Sequence, residues 1–515
     1  MFWMMMGRGA RWMMIVPCLV AGGEASALQP SNVLLVYNSR NAESLAVRDA
    51  YVTSRPGVLQ FDLNDASMPA GSVTRAEYLA RLRGPIRDFI NGVGGGTDRS
   101  AQVMAIVTTR GLPARILSSA GGADEFLLNS RWSSVESELC LLQQDLEASG
   151  TAYLPNRFSG MVYNPYWRST GAAIESYSRV GVKTPRAFEG VLIPPGPEQV
   201  WRVTGLTPGG MYLVCRLDSA ATPGGRSAVQ NVQSLIARSR DLVVDRCGVQ
   251  ALFDEYGAPP NGFDLDDGEV PPLFPDRADF ENASAFMNGF GIPTTHDHGF
   301  NFVTGAELAD ASRPLVALGT YGENHSYNGW GENPPGDGAY VSSYNFHPAA
   351  VFIAYESWSG TSIYTGGAGR GGQQQCLDFI ARGGSFTIGS VMEPYAFTLA
   401  DMEDLMPSLL RDSLTFAEAA YIALPVLSWQ FVPVGDPLAR VTVVGPGPAT
   451  RIQPIGCPGD ADRSGAVTFA DITEVLAWYG SECSGGSSRG DADGNGAVNF
   501  ADVTAVLRWM GTACG

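Results

Sequence analysis

Two stretches near the end of the chain carry oxygen-bearing side chains at the spacing of a calcium-binding loop. Residues 460–471 and 491–502 each span twelve positions. EF-hand-type loops supply calcium ligands from positions one, three, five, seven, nine and twelve. In the first loop these are Asp460, Asp462, Ser464, the Ala466 carbonyl, Thr468 and Asp471. In the second they are Asp491, Asp493, Asn495, the Ala497 carbonyl, Asn499 and Asp502. The pattern predicts two calcium sites.

The two loops belong to an internal repeat. Residues 459–480 overlay residues 490–511 without a gap, at an offset of 491 − 460 = 31 positions. Each loop leads into apolar residues at helical spacing, which predicts a helix, and Gly480 and Gly511 are expected to end the two helices. A single acidic turn is common, but two in-register copies that each precede a helix indicate a dedicated calcium module.

Residues 459–515 resemble a type I dockerin, which is a duplicated loop–helix calcium module. The family has Asp at position twelve, and Asp471 and Asp502 match it. The resemblance implies a small all-α module that docks to a cohesin-like or cell-surface protein. Dockerins read their partner at positions ten and eleven, often with a Ser/Thr pair. Here those positions are Phe469-Ala470 and Phe500-Ala501, which depart from the family pattern.

The histidines indicate a second functional region. All four lie within residues 296–347, and they are His296, His298, His325 and His347. In an extended segment His296 and His298 would point to the same face, with Asp297 pointing away, and could hold a metal ion. A site without metal is the first alternative. The second is that these are loop histidines whose hydrogen bonds go to the backbone.

Alternating apolar runs and helical patterns between about residues 31 and 444 predict the elements that position these groups. Continuous apolar strands separated by helices are typical of parallel sheets covered on both faces, so we expect an α/β fold. The predicted strands are residues 32–37, 103–108, 212–217, 249–253, 315–319, 350–355 and 386–390. The predicted helices are residues 43–54, 75–90, 227–239, 280–289 and 373–381.

Several segments of this α/β region resemble an uncharacterised family of secreted bacterial proteins that co-occurs with exosortase-type sorting systems. The segments are residues 32–55, 212–220, 383–395 and 415–440. This resemblance implies export but no particular activity. The Gly435-Asp436-Pro437 strand is also similar to the closing strand of gingipain-type and caspase-like cysteine peptidases. That likeness implies a caspase/gingipain-like parallel sheet in two halves.

The same peptidases place a His after one parallel strand and the nucleophilic Cys after the next. Here His325 follows the strand at 315–319, but residues 356–359 after the next strand contain no cysteine. Cys376 falls inside a predicted helix, away from the strand ends where such chemistry is positioned. We therefore expect that the protein is not a cysteine peptidase.

His325, Ser357 and Glu323 are the candidate catalytic residues. A Ser–His pair can perform acyl transfer if an acid orients the imidazole and amide groups stabilise the oxyanion. The α/β domain is thus predicted to be a hydrolase of peptides or glycans with its site near His325. The alternative is a non-catalytic binding or scaffold protein on a caspase-like fold, which the absence of a G-x-S-x-G motif from residues 28–444 favours.

The first residues predict export. Arg8 and Arg11 precede a short apolar stretch, and Ala25-Ser26-Ala27 matches a signal-peptidase site. The expected organisation is a signal peptide (1–27), an α/β domain (28–444), a Gly/Pro-rich linker (445–458) and the calcium module (459–515). We expect a secreted, cell-surface or periplasmic protein with no membrane span in the mature chain. A net charge of −18 without a basic cluster argues against nucleic-acid binding.

Seven of the eight cysteines remain after removal of the leader, and an exported protein can oxidise them. An odd number leaves at least one thiol unpaired. A pseudo-twofold module brings its ends together, which predicts a Cys457–Cys514 disulfide. Cys483 can replace either partner.

Overall fold

The computed structural model describes the greater part of the α/β domain and the helical parts of the C-terminal repeat. The described residues are 28–117, 132–143, 162–164, 166–167, 211–222, 225–255, 279–299, 303–308, 310–321, 339–355, 358–365, 375–392, 394, 398–445, 459–461, 466–480, 490, 492 and 498–511. Within these residues, none of the helices combines the length and the apolarity that a bilayer crossing requires.

Seventeen strands are present in the described residues. They are β1 (Val33–Tyr37), β2 (Leu59–Asp62), β3 (Ser72–Thr74), β4 (Ala105–Thr109), β5 (Arg115–Leu117), β6 (Ser133–Ser134), β7 (Val162–Tyr163), β8 (Leu213–Leu217), β9 (Leu242–Asp245), β10 (Gln250–Glu255), β11 (Thr294–Asp297), β12 (Leu315–Tyr321), β13 (Phe346–Ala354), β14 (Phe386–Ser390), β15 (Val426–Leu427), β16 (Phe431–Val434) and β17 (Val441–Val444).

The α-helices of the same residues lie between these strands and in the repeat. They are α1 (Ala42–Ser54), α2 (Arg75–Glu77), α3 (Gly84–Asn91), α4 (Val135–Leu139), α5 (Ala228–Arg238), α6 (Asp279–Gly289), α7 (Ala339–Ser342), α8 (Thr361–Thr365), α9 (Cys376–Ala381), α10 (Met402–Leu410), α11 (Phe416–Ala423), α12 (Phe469–Ala477) and α13 (Phe500–Trp509).

Ten of the strands form one large sheet in the order β11-β10-β12-β13-β14-β16-β8-β4-β1-β2. Every neighbouring pair is parallel except β14 and β16, which are antiparallel. The sheet therefore consists of two parallel halves of opposite direction. In the first half, β2 to β16, the strands have their carboxyl ends at one side of the sheet, which we call the first edge. In the second half, β14 to β11, the carboxyl ends lie at the opposite side, the second edge.

The predicted α/β fold with a large, mostly parallel sheet is confirmed. Strands such as β1, β4 and β8 are buried along their whole length, which is why their sequences are continuous apolar runs. Sequence reasoning missed β2 and β11, because both are half-exposed edge strands with mixed polarity. The single helix predicted for residues 75–90 is divided into α2, a π-helical stretch at Tyr78–Arg83, and α3.

A buried carboxylate at the end of β16 connects the seam of the sheet to the first helix. Asp436 is fully buried, and its Oδ1 accepts a hydrogen bond from the Tyr51 hydroxyl at 2.8 Å. Its Oδ2 lies 2.8 Å from both Nε and an Nη of Arg55, just after α1. Gly435 before it has a φ of +156°, and a Cβ there would lie 2.8 Å from the Ser385 carbonyl oxygen. Only glycine allows β16 to pack this closely against its neighbours.

We predict that Asp436→Ala lowers the free energy of unfolding by about 3–5 kcal/mol, because it leaves the mostly buried Arg55 guanidinium without its carboxylate. Urea unfolding of the full chain measures the loss. Asp412→Ala is the matched control, since Asp412 pairs with Arg411, which is 57 % exposed, and its removal should cost about 1 kcal/mol or less. Equal losses for the two variants would contradict the assignment.

Candidate functional site

The two copies of the C-terminal repeat pack against each other through reciprocal hydrogen bonds. Each bond in one copy has a counterpart in the other at the 31-residue offset. The bonds run from Gly459 N to the Ala492 carbonyl (3.1 Å), from Gly490 N to the Ala461 carbonyl (3.4 Å), from Gly480 N to the Val498 carbonyl (2.7 Å) and from Gly511 N to the Val467 carbonyl (2.8 Å). The repeat in the sequence is therefore a pseudo-twofold repeat in space.

Six of the twelve predicted calcium ligands are among the described residues. They are Asp460, Ala466, Thr468, Asp471, Asn499 and Asp502. The other six lie outside the described residues, and they are Asp462, Ser464, Asp491, Asp493, Asn495 and Ala497.

The residues at positions nine and twelve have the same geometry in both loops. Asp471 is fully buried, and its Oδ2 accepts a hydrogen bond from Thr468 N at 2.7 Å. Asp502 is also fully buried and accepts from Asn499 N at 2.8 Å. Each position-twelve carboxylate thus caps the first turn of its helix, α12 or α13, and is withdrawn from water. A buried carboxylate is costly unless hydrogen bonds and a cation compensate for its charge.

The hydrophobic core of the described part of the repeat is small. Its buried side chains are all Ala or Val, and they come in pairs at the same offset: Ala461 and Ala492, Val467 and Val498, Val475 and Val506. Side chains of this size bury little apolar area, and so small a module seldom folds without a disulfide or a metal.

The candidate catalytic residues His325, Glu323 and Ser357 lie outside the described residues. The strands that precede them are described. β12 ends at Tyr321 and β13 at Ala354, and the two strands are parallel neighbours in the sheet. Both strands therefore end at the same edge, where open α/β sheets bind their ligands.

At the same edge, the structure brings together two histidines and two glutamates. Glu255, Glu281, His296 and His298 have possible ligand atoms that all lie within 4.8 Å of one another. The sequence indicated the two histidines, and their ring centroids are 4.1 Å apart. It did not indicate the glutamates, because each stands alone in the sequence and only the packing of α6 onto β10 brings them to β11.

A second group of charges lies at the opposite edge, around the ends of β4 and β8. Arg216 and Glu136 are fully buried and form an ion pair at 3.0 Å. Arg216 also pairs with Asp218 at 2.9 Å, and Asp218 with Arg110 at 2.8 Å. Burial alone would lower the pKa of Arg216, but the charges of Glu136 and Asp218 raise it above the ordinary value. The arginines remain charged and paired, which suits a role in holding the strand ends together.

The thiols of the described residues are poor nucleophiles. Cys140, Cys215 and Cys376 are free and buried, and burial raises the pKa of each thiol. Cys376 begins α9 and is 1 % exposed. Cys247 is disulfide-bonded. The Cys457–Cys514 disulfide involves only cysteines outside the described residues and stays a prediction.

Comparison with known proteins gives distant structural likenesses only. No protein-family model matches the chain, and no curated protein matches it. The crystal structure of the Arg-specific cysteine proteinase gingipain R is similar with a TM-score of 0.40 and 11 % identity, covering 80 % of this chain and 79 % of that one. A structure of a protease is similar with a TM-score of 0.39 and 10 % identity, covering 84 % and 83 %.

We predict that Cys140, Cys215 and Cys376 resist alkylation in the folded protein, because a thiol with a raised pKa inside an apolar core is neither ionised nor accessible. Brief treatment with iodoacetamide, followed by peptide mass spectrometry, should find these cysteines labelled only after denaturation in guanidinium. Rapid labelling of Cys376 in the native protein would contradict its buried position and would make Cys376 a candidate nucleophile.

Proposed function

We propose that the protein is a secreted calcium-binding protein whose C-terminal repeat folds around two calcium ions and docks the α/β domain to a partner. The proposed architecture is a caspase/gingipain-like α/β domain followed by a dockerin-like module. The observation that carries the proposal is the pseudo-twofold pairing of the two loop–helix copies, each with a fully buried Asp at position twelve.

The pairing couples the two proposed calcium sites. Ala461 and Val467 occupy positions two and eight of the first loop, and their carbonyls accept hydrogen bonds from the second copy. Ala492 and Val498 do the same in the second loop. An ion that orders one loop therefore also fixes the groups that hold the other, so the two ions should bind with positive coupling.

Charge and core size explain why the fold would depend on calcium. Each loop gathers three aspartates, at positions one, three and twelve, whose like charges repel when no cation is bound. Calcium at about a hundred times its dissociation constant would add roughly 2.7 kcal/mol of stability per site. That contribution is large for a module in which the buried apolar side chains, among the described residues, are alanines and valines.

Docking is supported by large apolar side chains that remain exposed at equivalent positions of both copies. Phe469 is 73 % exposed and Phe500 68 %, and both occupy loop position ten. Leu476 and Leu507, each about two turns further along its helix, are 61 % and 56 % exposed. Apolar patches of this kind mark protein interaction sites. The proposed partner is a cohesin-like or cell-surface protein that receives this apolar surface.

For the α/β domain we propose a hydrolase of peptides or glycans with its site near His325, at the edge where β12 and β13 end. The second candidate is a non-catalytic scaffold. It is favoured by the buried state of the free thiols and by the complete pairing of Arg216, since these groups are engaged in the core and not exposed to a substrate.

The calcium proposal predicts that Asp460→Ala combined with Asp491→Ala abolishes both binding events in the full chain, because each substitution removes the position-one carboxylate of a loop. Isothermal calorimetry counts the ions, and far-UV circular dichroism should show helix gained as calcium is added. The control variant, Asp49→Ala with Asp310→Ala, removes two carboxylates from the α/β domain and should bind two ions. Unchanged dichroism with and without chelator would refute the proposal.

The hydrolase proposal predicts that His325→Ala lowers activity by orders of magnitude, because it removes the general base, whereas iodoacetamide leaves activity intact. Peptide, ester and glycan substrates are screened with the wild type, His325→Ala and the control His347→Ala. Activity that alkylation abolishes and His325→Ala spares would contradict the assignment. Inactivity of the wild type on every substrate would favour the scaffold.

A further inference from the structure

Three elements of the second half of the sheet converge on one small polar cluster. Glu255 is the last residue of β10, and Glu281 lies in the first turn of α6. His296 lies in β11, and His298 follows that strand directly. We propose that these four side chains form a binding site for one transition-metal ion of the zinc type. This proposal is independent of the calcium module.

Strand register explains why the groups meet on one face. β10 and β11 are parallel, with Phe253 opposite His296 and Asp254 opposite Asp297. Paired residues of neighbouring strands point to the same face and successive residues alternate. Phe253, Glu255, His296 and His298 therefore share one face.

The intervening aspartates are engaged elsewhere and do not compete for this face. Asp297 accepts a hydrogen bond from Gly299 N at 2.8 Å, and Asp254 accepts one from Val303 N at 3.0 Å.

Helix α6 covers the face that carries the histidines. The ring of Phe280 packs on Phe253 with centroids 5.5 Å apart, and it stacks on Tyr355 at 4.6 Å. These contacts fix the first turn of α6 over the end of β10. Glu281 is the next residue along the helix and reaches the same cluster. Glu281 is thus positioned by the apolar packing of its helix, whereas the other three side chains are positioned by the sheet strands or the residue that follows them.

Burial and charge favour a cation at this point. Glu255 is 3 % exposed, the His296 side chain is 14 % exposed, and His296 Nε2 is in hydrogen-bond contact with a carboxylate oxygen of Glu255. Two carboxylates this close repel each other in a site of limited water access. With neutral imidazoles the four groups carry two negative charges, which one divalent ion neutralises.

The donor types select the kind of metal. Calcium and magnesium prefer oxygen ligands, whereas imidazole nitrogen suits zinc, copper, iron and nickel. Zinc is commonly held by histidines and carboxylates in four-coordinate sites. The proposed centre therefore differs in chemistry from the all-oxygen loops of the repeat. One chain would bind two kinds of metal at two separate places.

The location of the centre matters for the α/β domain. Glu255 is the register partner of Tyr321, so the cluster adjoins the end of β12. His298 is exposed, which leaves one side of the cluster open to solvent. A bound ion would thus lie at the edge of the sheet where ligands of open α/β folds bind.

A second polar cluster is formed by Asp401, Glu403 and Asp404 and contains no histidine. It is purely acidic and lies at the start of α10. It supplies a control instead, because a carboxylate removed there should not affect the histidine centre.

The test uses the full chain in saturating calcium, after phenanthroline has removed transition metals and has itself been dialysed away. Calorimetric titration with Zn²⁺ should show one saturable site. His298→Ala and Glu281→Gln should each lower the affinity for zinc by at least about 10-fold. Even the loss of a residue that only hydrogen-bonds to a metal ligand has an effect of this size. His298 is exposed, so its variant should retain the circular dichroism of the wild type. Cobalt should give the visible absorption of a four-coordinate site, and His298→Ala should lose it.

The controls His347→Gln and Asp404→Asn remove the same kinds of group elsewhere in the domain and should bind zinc like the wild type. Absence of saturable zinc binding by the wild type would overturn the proposal. So would equal affinities for the wild type and the His298 and Glu281 variants, which would mean that His296 and Glu255 form only an ion pair. Loss of calcium binding by the repeat would leave the zinc stoichiometry unchanged, so the two proposals fail separately.

Discussion

The antiparallel pairing of β14 with β16 is the constraint on which the arrangement of the α/β domain depends. β16 comes late in the chain, yet it lies between β14 of the second half and β8 of the first. Its position requires Gly435, where a side chain would collide, and Asp436, which connects the strand to Tyr51 and Arg55. Because the two halves run in opposite directions, their polar strand ends lie at opposite edges and have different contents.

The charged groups at the two edges differ, and this difference is the reason why we assign a stabilising role to one edge and a binding role to the other. At the first edge, every charge of the Arg216 cluster has an opposite charge beside it, so the groups hold β4 and β8 together. At the second edge, Glu255 and Glu281 meet two imidazoles, and a divalent ion would complete their charge balance. The first edge therefore stabilises the fold, and the second is where we place binding chemistry.

The sequence predicts those features that depend on local pattern. β1, β4 and β8 are apolar throughout, and the repeat at 31 residues indicates both helices of the C-terminal module. It does not predict β11, whose residues are half-exposed and polar, nor the meeting of Glu281 with His298. That meeting depends on the stacking of Phe280, a tertiary contact with no local signature. The reciprocal hydrogen bonds between the two copies are also tertiary contacts with no local signature, whereas the 31-residue repeat is visible in the sequence.

We propose that calcium keeps the C-terminal repeat folded, whereas the α/β domain is stabilised by its own hydrophobic core. Hydrogen–deuterium exchange of the full chain, with calcium and with chelator, tests it most directly, since local opening is resolved peptide by peptide. We expect that peptides covering α12 and α13 lose protection when calcium is removed, while peptides covering β1, β8 and β16 exchange at unchanged rates. Equal protection of α12 and α13 under both conditions would contradict it.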